Sequence, residues 1–261
     1  MIVRHTAAHF LHRLWEEGRE AEILNRSMAF AALFFVTLVP LLVVISAASA
    51  SRGNGITQWI TDGLGLSGSG AHAVKMLFAS RKQVLSTTTA FGLAALAVFG
   101  LSLLASVQTA LERIWKLPRG PWHTTWRQAV GLAGLIGYIL IAAWSGVPWQ
   151  QTVLQPTLHV VATIFGGVAL FWWLQWLLLG SRVSWGRLLP GAVATMVALA
   201  GLRLFSRFVF APLLVSNAVS YGTVGTVLIF QSWLIGVGYT IYGGALAGRI
   251  LAEAHPTHTD H

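Results

Sequence analysis

The 261-residue sequence contains no cysteine and only eight acidic residues, and charged residues make up 10% of it. The absence of cysteine excludes disulfides, thiolate catalysis and cysteine-ligated zinc or iron–sulfur sites. Hydrolytic enzymes need clustered acids, a metal site or a nucleophile with its base. No such set can be assembled from so few acids, so we expect neither an enzyme nor a bound cofactor.

Long charge-free runs recur along the chain. The first, residues 27–51, lies between Arg26 and Arg52, and further runs lie between Lys82 and Glu112, Arg127 and Arg182, and Arg207 and Arg249. A helix crosses the hydrocarbon core with about 20 apolar residues, and a charge buried at its centre is costly. Together with a hydrophobic fraction of 55%, these runs predict an all-α polytopic membrane protein.

Six transmembrane helices fit into these runs. The third run is too long for one span, and turn-forming residues at 146–148 and 155–156 divide it. Pro190 is predicted in the first turn of the fifth helix, where a missing N–H does no harm, and Pro212 follows its end. The predicted spans are residues 28–50, 86–111, 129–145, 158–179, 188–210 and 223–248. They form a transmembrane domain, residues 27–250, which is followed by a tail, residues 251–261, that we expect to be disordered.

The distribution of lysine and arginine predicts the orientation. With the N-terminus inside, the inner segments hold eleven of these residues and the outer segments four. The positive-inside rule then places both termini in the cytoplasm. The same rule accounts for the net charge of +9, so we do not expect a nucleic-acid partner.

The N-terminal segment, residues 1–26, has the pattern of an amphipathic helix. Phe10, Leu11, Leu14 and Trp15 share one helical face, and arginines and glutamates fill the other. Such a helix lies along the inner leaflet as an interfacial helix. A docking surface for a cytoplasmic partner is the alternative.

Four segments together resemble the YihY/BrkB family of six-helix bacterial inner-membrane proteins, once labelled ribonuclease BN. They are AFAALFFVTLVPLL at residues 29–42, ALERIW at 110–115, WGRLLPGA at 185–192 and SYGTVG at 220–225. The resemblance spans nearly the whole chain, and it implies an inner-membrane location and an association with envelope lipid export and virulence. Three positions depart from the family pattern: Phe30 replaces a tyrosine, Glu112 an asparagine, and Ala245 a glutamate.

Arg203 and Arg207 are the clearest ionisable residues within a predicted span. They lie four residues apart, so both project from one face of the fifth helix. Counted from Leu188 at 1.5 Å per residue, they lie about 22 and 28 Å along the helix, in the outer half of the bilayer. Two readings stay open: both side chains extend to the outer headgroups, or both bind an anion or lipid phosphate inside the bundle.

Polar and small residues complete the set of candidates. Glu112 is predicted to pair with Lys116 one turn later, with a proton or cation gate as the alternative. Gln108 would extend a polar face from Glu112 into the membrane, and Gln175 and Gln231 are further polar groups within spans. Residues expected to shape or pack the helices are Pro40, Pro190, Gly191, Tyr221, Gly222, Gly225, Gly244 and Gly248. Gly244 and Gly248 have the spacing of close helix packing, and Pro40 is a candidate hinge.

These observations predict a membrane protein that transports or redistributes an anionic, lipid-like envelope substrate bound by Arg203 and Arg207. Membrane lipids are the expected partners. The alternative is a non-transporting scaffold that docks envelope-assembly proteins, and a membrane-bound ribonuclease is a distant third. Histidines near both ends lie on a surface helix and in the tail, where a metal site would lack fixed geometry, so no metal site is expected.

Overall fold

The computed structural model describes residues 2–48, 89–118, 125–145 and 155–254, and these parts of the chain are helical apart from short turns. The helices are α1 (Ile2–Glu20), α2 (Ile23–Ala48), α3 (Thr89–Ile114), α4 (Thr125–Ser145), α5 (Gln155–Leu178), α6 (Trp185–Phe208) and α7 (Phe210–Ala254). The described ranges contain no strand. The all-α prediction is therefore confirmed for them.

Four segments are long and apolar enough to cross a membrane. They are Ile23–Val43, Phe91–Ile114, Trp185–Phe208 and Val224–Ala254, which fall in α2, α3, α6 and α7. The predicted third and fourth spans coincide with α4 and α5, whose shorter apolar parts are Thr125–Ile141 and Ile164–Leu178. The chain is thus an integral membrane protein by the length and composition of its helices.

The predicted beginning of the fifth span was wrong by three residues. Ser184 has extended backbone (φ −64°, ψ 145°) and precedes the first residue of α6, Trp185. Pro190 is therefore the sixth residue of the helix and lies in its interior, beyond the first turn. Because proline has no N–H, the carbonyl of Gly186 loses its usual partner four residues ahead.

The break predicted between the fifth and sixth spans is confirmed for the spans, because one apolar span ends at Phe208 and the next begins at Val224, but the chain between them is largely helical. The chain is helical again from Phe210, only Val209 separates α6 from α7, and Pro212 is the third residue of α7, a position where proline is tolerated. Gly236 of α7 packs against Leu202, which lies only about 9 Å from the end of α6. A straight α7 that began at Phe210 would place Gly236 about 39 Å from that point. Helix α7 must therefore bend between residues 210 and 236.

Helices α6 and α7 form the closest pair in the bundle. Gly248 lies against Gly191, and Gly244 lies against Thr195, so the two helices are antiparallel with backbone in contact. The predicted close approach at Gly244 and Gly248 is confirmed. Helix α2 packs on α3 and α7, α5 packs on α6, α4 lies against α3 and α5, and α1 lies against α7 and α2.

Residues in the left-handed conformation end three of the helices. After α3, the N–H of Leu117 donates to the carbonyl of Glu112 (2.8 Å), and the N–H of Lys116 (φ 51°) donates to that of Arg113 (3.0 Å). After α5, Gly180 (φ 71°) and Ser181 close an equivalent motif. These compact ends return the chain to the bundle, and they position Arg182 beside α3.

Candidate functional site: the charged end of the bundle

The helix ends on one side of the molecule carry most of its described ion pairs. We call this region the charged end; it comprises residues 13–26, 112–118, 179–187 and 249–254. Arg249 of α7 donates to the carbonyl of Ile114 at the end of α3 (2.7 Å). Arg182, after α5, donates to the carbonyl of Pro118 (2.6 Å). The ends of α3, α5 and α7 are thus joined by arginines bonded to backbone carbonyls.

Glu112 forms a partly buried ion pair with Arg182. The carboxylate is 5% exposed and accepts a hydrogen bond from the guanidinium of Arg182, which also donates to the carbonyl of Leu179 (2.8 Å). The predicted partner, Lys116, lies beyond the end of α3 in left-handed backbone, so it lacks the helical geometry of an i,i+4 pair. The partner therefore comes from 70 residues further along the chain.

A line of amides continues from Glu112. The side-chain N–H of Gln108 donates to Glu112 (3.1 Å), and that of Gln128, from α4, donates to Gln108 (3.0 Å). The polar face predicted for Gln108 is therefore present, and Gln128 extends it to a second helix. With Arg182 against the carboxylate, a gate at Glu112 would require that ion pair to open, and the gate stays a prediction.

A second network holds α1 against α7. Arg249 is almost fully buried, donates to Glu253 (2.8 Å) and lies 3.2 Å from a carboxylate oxygen of Glu17. Arg13 bridges the same two acids, at 2.9 Å from Glu17 and 3.0 Å from Glu253. The hydrogen bonds with Glu17 and Glu253 raise the pKa of Arg13, so it remains charged. Helix α1 is thus fastened to the bundle by ionic contacts.

Sequence reasoning missed the importance of Arg249. The only signal was a lone arginine at the end of the last apolar run, with Glu253 four residues later. The prediction of a disordered tail over residues 251–261 is wrong for residues 251–254, which continue α7 as helix. The rest of the tail, residues 255–261, lies outside the described residues.

The arginine pair of the predicted fifth span lies far from the charged end. Arg203 and Arg207 are both exposed, and exposed apolar side chains surround them: Leu204, Phe205 and Phe208. Counted from Trp185, they lie about 27 and 33 Å along α6, which is close to the full thickness of the hydrocarbon core. The pair therefore points away from the interior of the described bundle, near the end of α6 opposite the charged end.

The remaining candidates are distributed along the helices. Gln175 is buried, its side-chain oxygen has no hydrogen-bond partner in the described chain, and it lies against Gly191. Gln231 is partly buried in α7, Pro40 and Gly225 are buried within α2 and α7, and the surroundings of Tyr221 and Gly222 lie outside what the structure describes. The structure does not bring Gln175 or Gln231 into the hydrogen-bonded line at Glu112.

Long apolar helices, an end rich in ion pairs and exposed apolar flanks define a multi-pass membrane protein. The family described as Virulence factor BrkB matches residues 14–261, nearly the whole chain. The chain therefore belongs to the BrkB family. No curated protein and no solved structure matches it.

Proposed function

We propose that this BrkB-family protein redistributes an anionic, lipid-like substrate in the bacterial inner membrane. In this proposal α2 to α7 are the six spans, and the charged end faces the cytoplasm with both termini. The lysine and arginine distribution supports that orientation. Arg203 and Arg207 then lie at the outer surface.

The observation that carries the proposal is the exposed arginine pair among apolar side chains. Arg203 and Arg207 lie one turn apart on the outside of α6, and the neighbouring apolar side chains of Leu204, Phe205 and Phe208 are exposed as well. A guanidinium binds a phosphate through two parallel hydrogen bonds, and two of them one turn apart can share one headgroup. Such a site receives a lipid from the side, without a path through the bundle interior.

The test is lipid movement between the leaflets of vesicles that contain the purified protein. Fluorescent phosphatidylglycerol and phosphatidylcholine are compared for the wild type and for the double variant Arg203→Gln, Arg207→Gln. We expect faster movement of the anionic lipid, lost in the double variant. Arg19→Gln is the matched control, because Arg19 is an exposed arginine of α1. Equal movement in the wild type and the double variant would remove the arginines from the mechanism.

A scaffold that docks envelope-assembly proteins is the second candidate, and α1 favours it. Arg13 and Glu17 fasten α1 to α7, Phe10 and Leu14 pack against the core, and Leu11 and Trp15 remain 62% and 63% exposed. A helix held rigidly with an outward apolar face is suited to bind a partner. Loss of function in Leu11→Ser, Trp15→Ser, with the arginine pair dispensable, would favour this candidate.

The proposal includes no catalytic activity. Among the described buried polar groups, Glu112 is occupied by Arg182 and the others are amides, hydroxyls and Arg249. A membrane-bound ribonuclease is therefore the least favoured candidate. RNA cleavage by the purified protein that stops on addition of EDTA would overturn this ranking.

A further inference from the structure

Arg187 lies against an aromatic ring at the charged end and has no carboxylate partner among the described residues. Its guanidinium carbon lies over the ring of Trp115, 5.8 Å from the ring centre, and the arginine remains exposed. The indole beneath it is buried, and the indole N–H has no hydrogen-bond partner in the described part of the chain. A cation held against a ring loses less conformational freedom when it binds a ligand than a free side chain does.

Lys116 adds a second positive charge one residue after Trp115. It is exposed and is held in left-handed backbone by the hydrogen bonds that end α3. In the described residues, neither Lys116 nor Arg187 lies within ion-pair distance of a carboxylate. The nearest acid along α3, Glu112, is buried and paired with Arg182.

The start of α6 supplies hydrogen-bond donors at the same place. Ser184 precedes the helix, and its side chain makes no capping hydrogen bond. The N–H of Arg187 donates to the carbonyl of Ser184 (3.1 Å), so the N–H groups of Trp185 and Gly186 are the first-turn donors left for another acceptor. Gly186 borders open space, since a side chain there would meet nothing within 4 Å. The positive end of the helix dipole also favours an anion here.

The depth of these groups corresponds to a membrane interface. Trp185, the first residue of α6, is 40% exposed and packs edge-on against Trp172, whose indole N–H donates to the carbonyl of Trp185 (2.8 Å). The ring centres of Trp172 and Trp176 each lie 4.9 Å from the ring centre of Trp185. Tryptophan collects at the level of lipid headgroups, where phosphate groups are also found.

We propose that Arg187, Lys116 and the first turn of α6 bind a phosphate-bearing anion at the charged end. The ligand is a phospholipid headgroup or free phosphate, which share the chemistry that these donors recognise. The site lies at the opposite end of α6 from Arg203 and Arg207, so its existence does not depend on the proposed lipid movement. If both are correct, the protein contacts lipid phosphate at both membrane surfaces.

The test is the thermal unfolding of the whole protein in a zwitterionic detergent, with increasing phosphatidylglycerol, phosphatidylcholine or inorganic phosphate. The double variant Arg187→Gln, Lys116→Gln is compared with Arg19→Gln and with Arg203→Gln, Arg207→Gln. We expect phosphatidylglycerol to raise the Tm of the wild type and of Arg19→Gln. We expect its apparent affinity to fall roughly tenfold in the Arg187, Lys116 variant.

Each outcome decides one point. A response to inorganic phosphate that the Arg187, Lys116 variant loses would also support the site, with free phosphate as its ligand. An unchanged response in that variant would overturn the proposal, even if the variant of Arg203 and Arg207 responds differently. If the double variant fails to fold, Lys116→Gln alone supplies the measurement, because its exposed side chain makes no described structural contact. An unchanged response in that single variant would overturn the role of Lys116.

Discussion

Replacement of Gly248 by alanine is expected to weaken the contact between α6 and α7, whereas the same change at Gly243 is expected to be harmless. A Cβ on Gly248 would lie 2.2 Å from the backbone nitrogen and Cα of Gly191. Ordinary contact begins at 3.4 Å, so the helices would have to separate by at least 1.2 Å. A Cβ on Gly243 would meet nothing within 4 Å.

The difference between the two variants follows from packing, because the gain in helix propensity is common to both. Alanine in place of glycine favours the helical state by about 1 kcal/mol. Overpacking costs about 1–3 kcal/mol, and here it falls on backbone that cannot turn aside. A gap of about 1 Å also loses up to half of the dispersion energy along the interface. We therefore expect Gly248→Ala to be less stable than Gly243→Ala by about 3 kcal/mol, from overpacking and lost dispersion.

The assay is thermal unfolding of the two variants in the same detergent. At roughly 2–4 °C per kcal/mol, the two Tm values should differ by about 6–12 °C. Gly244→Ala should resemble Gly248→Ala, because its Cβ would lie 2.6 Å from the backbone of Thr195. If Gly248→Ala and Gly244→Ala are as stable as Gly243→Ala, the close approach of α6 and α7 is refuted.

The other predictions concern the ion pairs. Glu112→Gln should destabilise the protein by about 2 kcal/mol, because the partly buried Arg182 loses its counter-charge. The double variant Glu112→Leu, Arg182→Leu should recover stability in the same unfolding assay. No recovery would contradict a pairwise effect. Arg249→Leu should cost about 2–3 kcal/mol, since Glu253 and the carbonyl of Ile114 lose a donor; unchanged unfolding would contradict this. Arg13→Gln should speed the proteolytic removal of α1, and high salt should do the same in the wild type. If neither change alters the cleavage rate, ion pairs do not hold α1 on the bundle.

Charge-free runs were sufficient to predict a membrane protein built of helices. The hydrocarbon core admits neither unpaired charge nor unpaired backbone, so sequence alone carries this information. The segment near Gly244 and Gly248 was also predicted correctly, because close packing in a membrane needs small residues at this spacing. Both predictions depend on properties local to one helix.

Helix boundaries were less predictable. Pro190 was predicted in the first turn of the fifth helix, yet α6 begins three residues earlier than predicted, at Trp185. Pro212 was predicted after the end of that helix, and α6 does end before it, but α7 already begins at Phe210 and includes Pro212. Proline is tolerated at the start of a helix and, in a membrane protein, within one, so it marks a boundary only weakly.

Only the tertiary structure decided which residues meet. Glu112 and Arg182 are 70 residues apart in the chain, and Arg249 and Ile114 are 135 apart, so no local pattern joins them. The exposure of Arg203 and Arg207 likewise depends on which side of α6 packs against α5 and α7. Sequence by itself determined the solvent that surrounds the helices, because that depends on composition along each segment. The fold determined the partners of each charge, because those depend on how the segments come together.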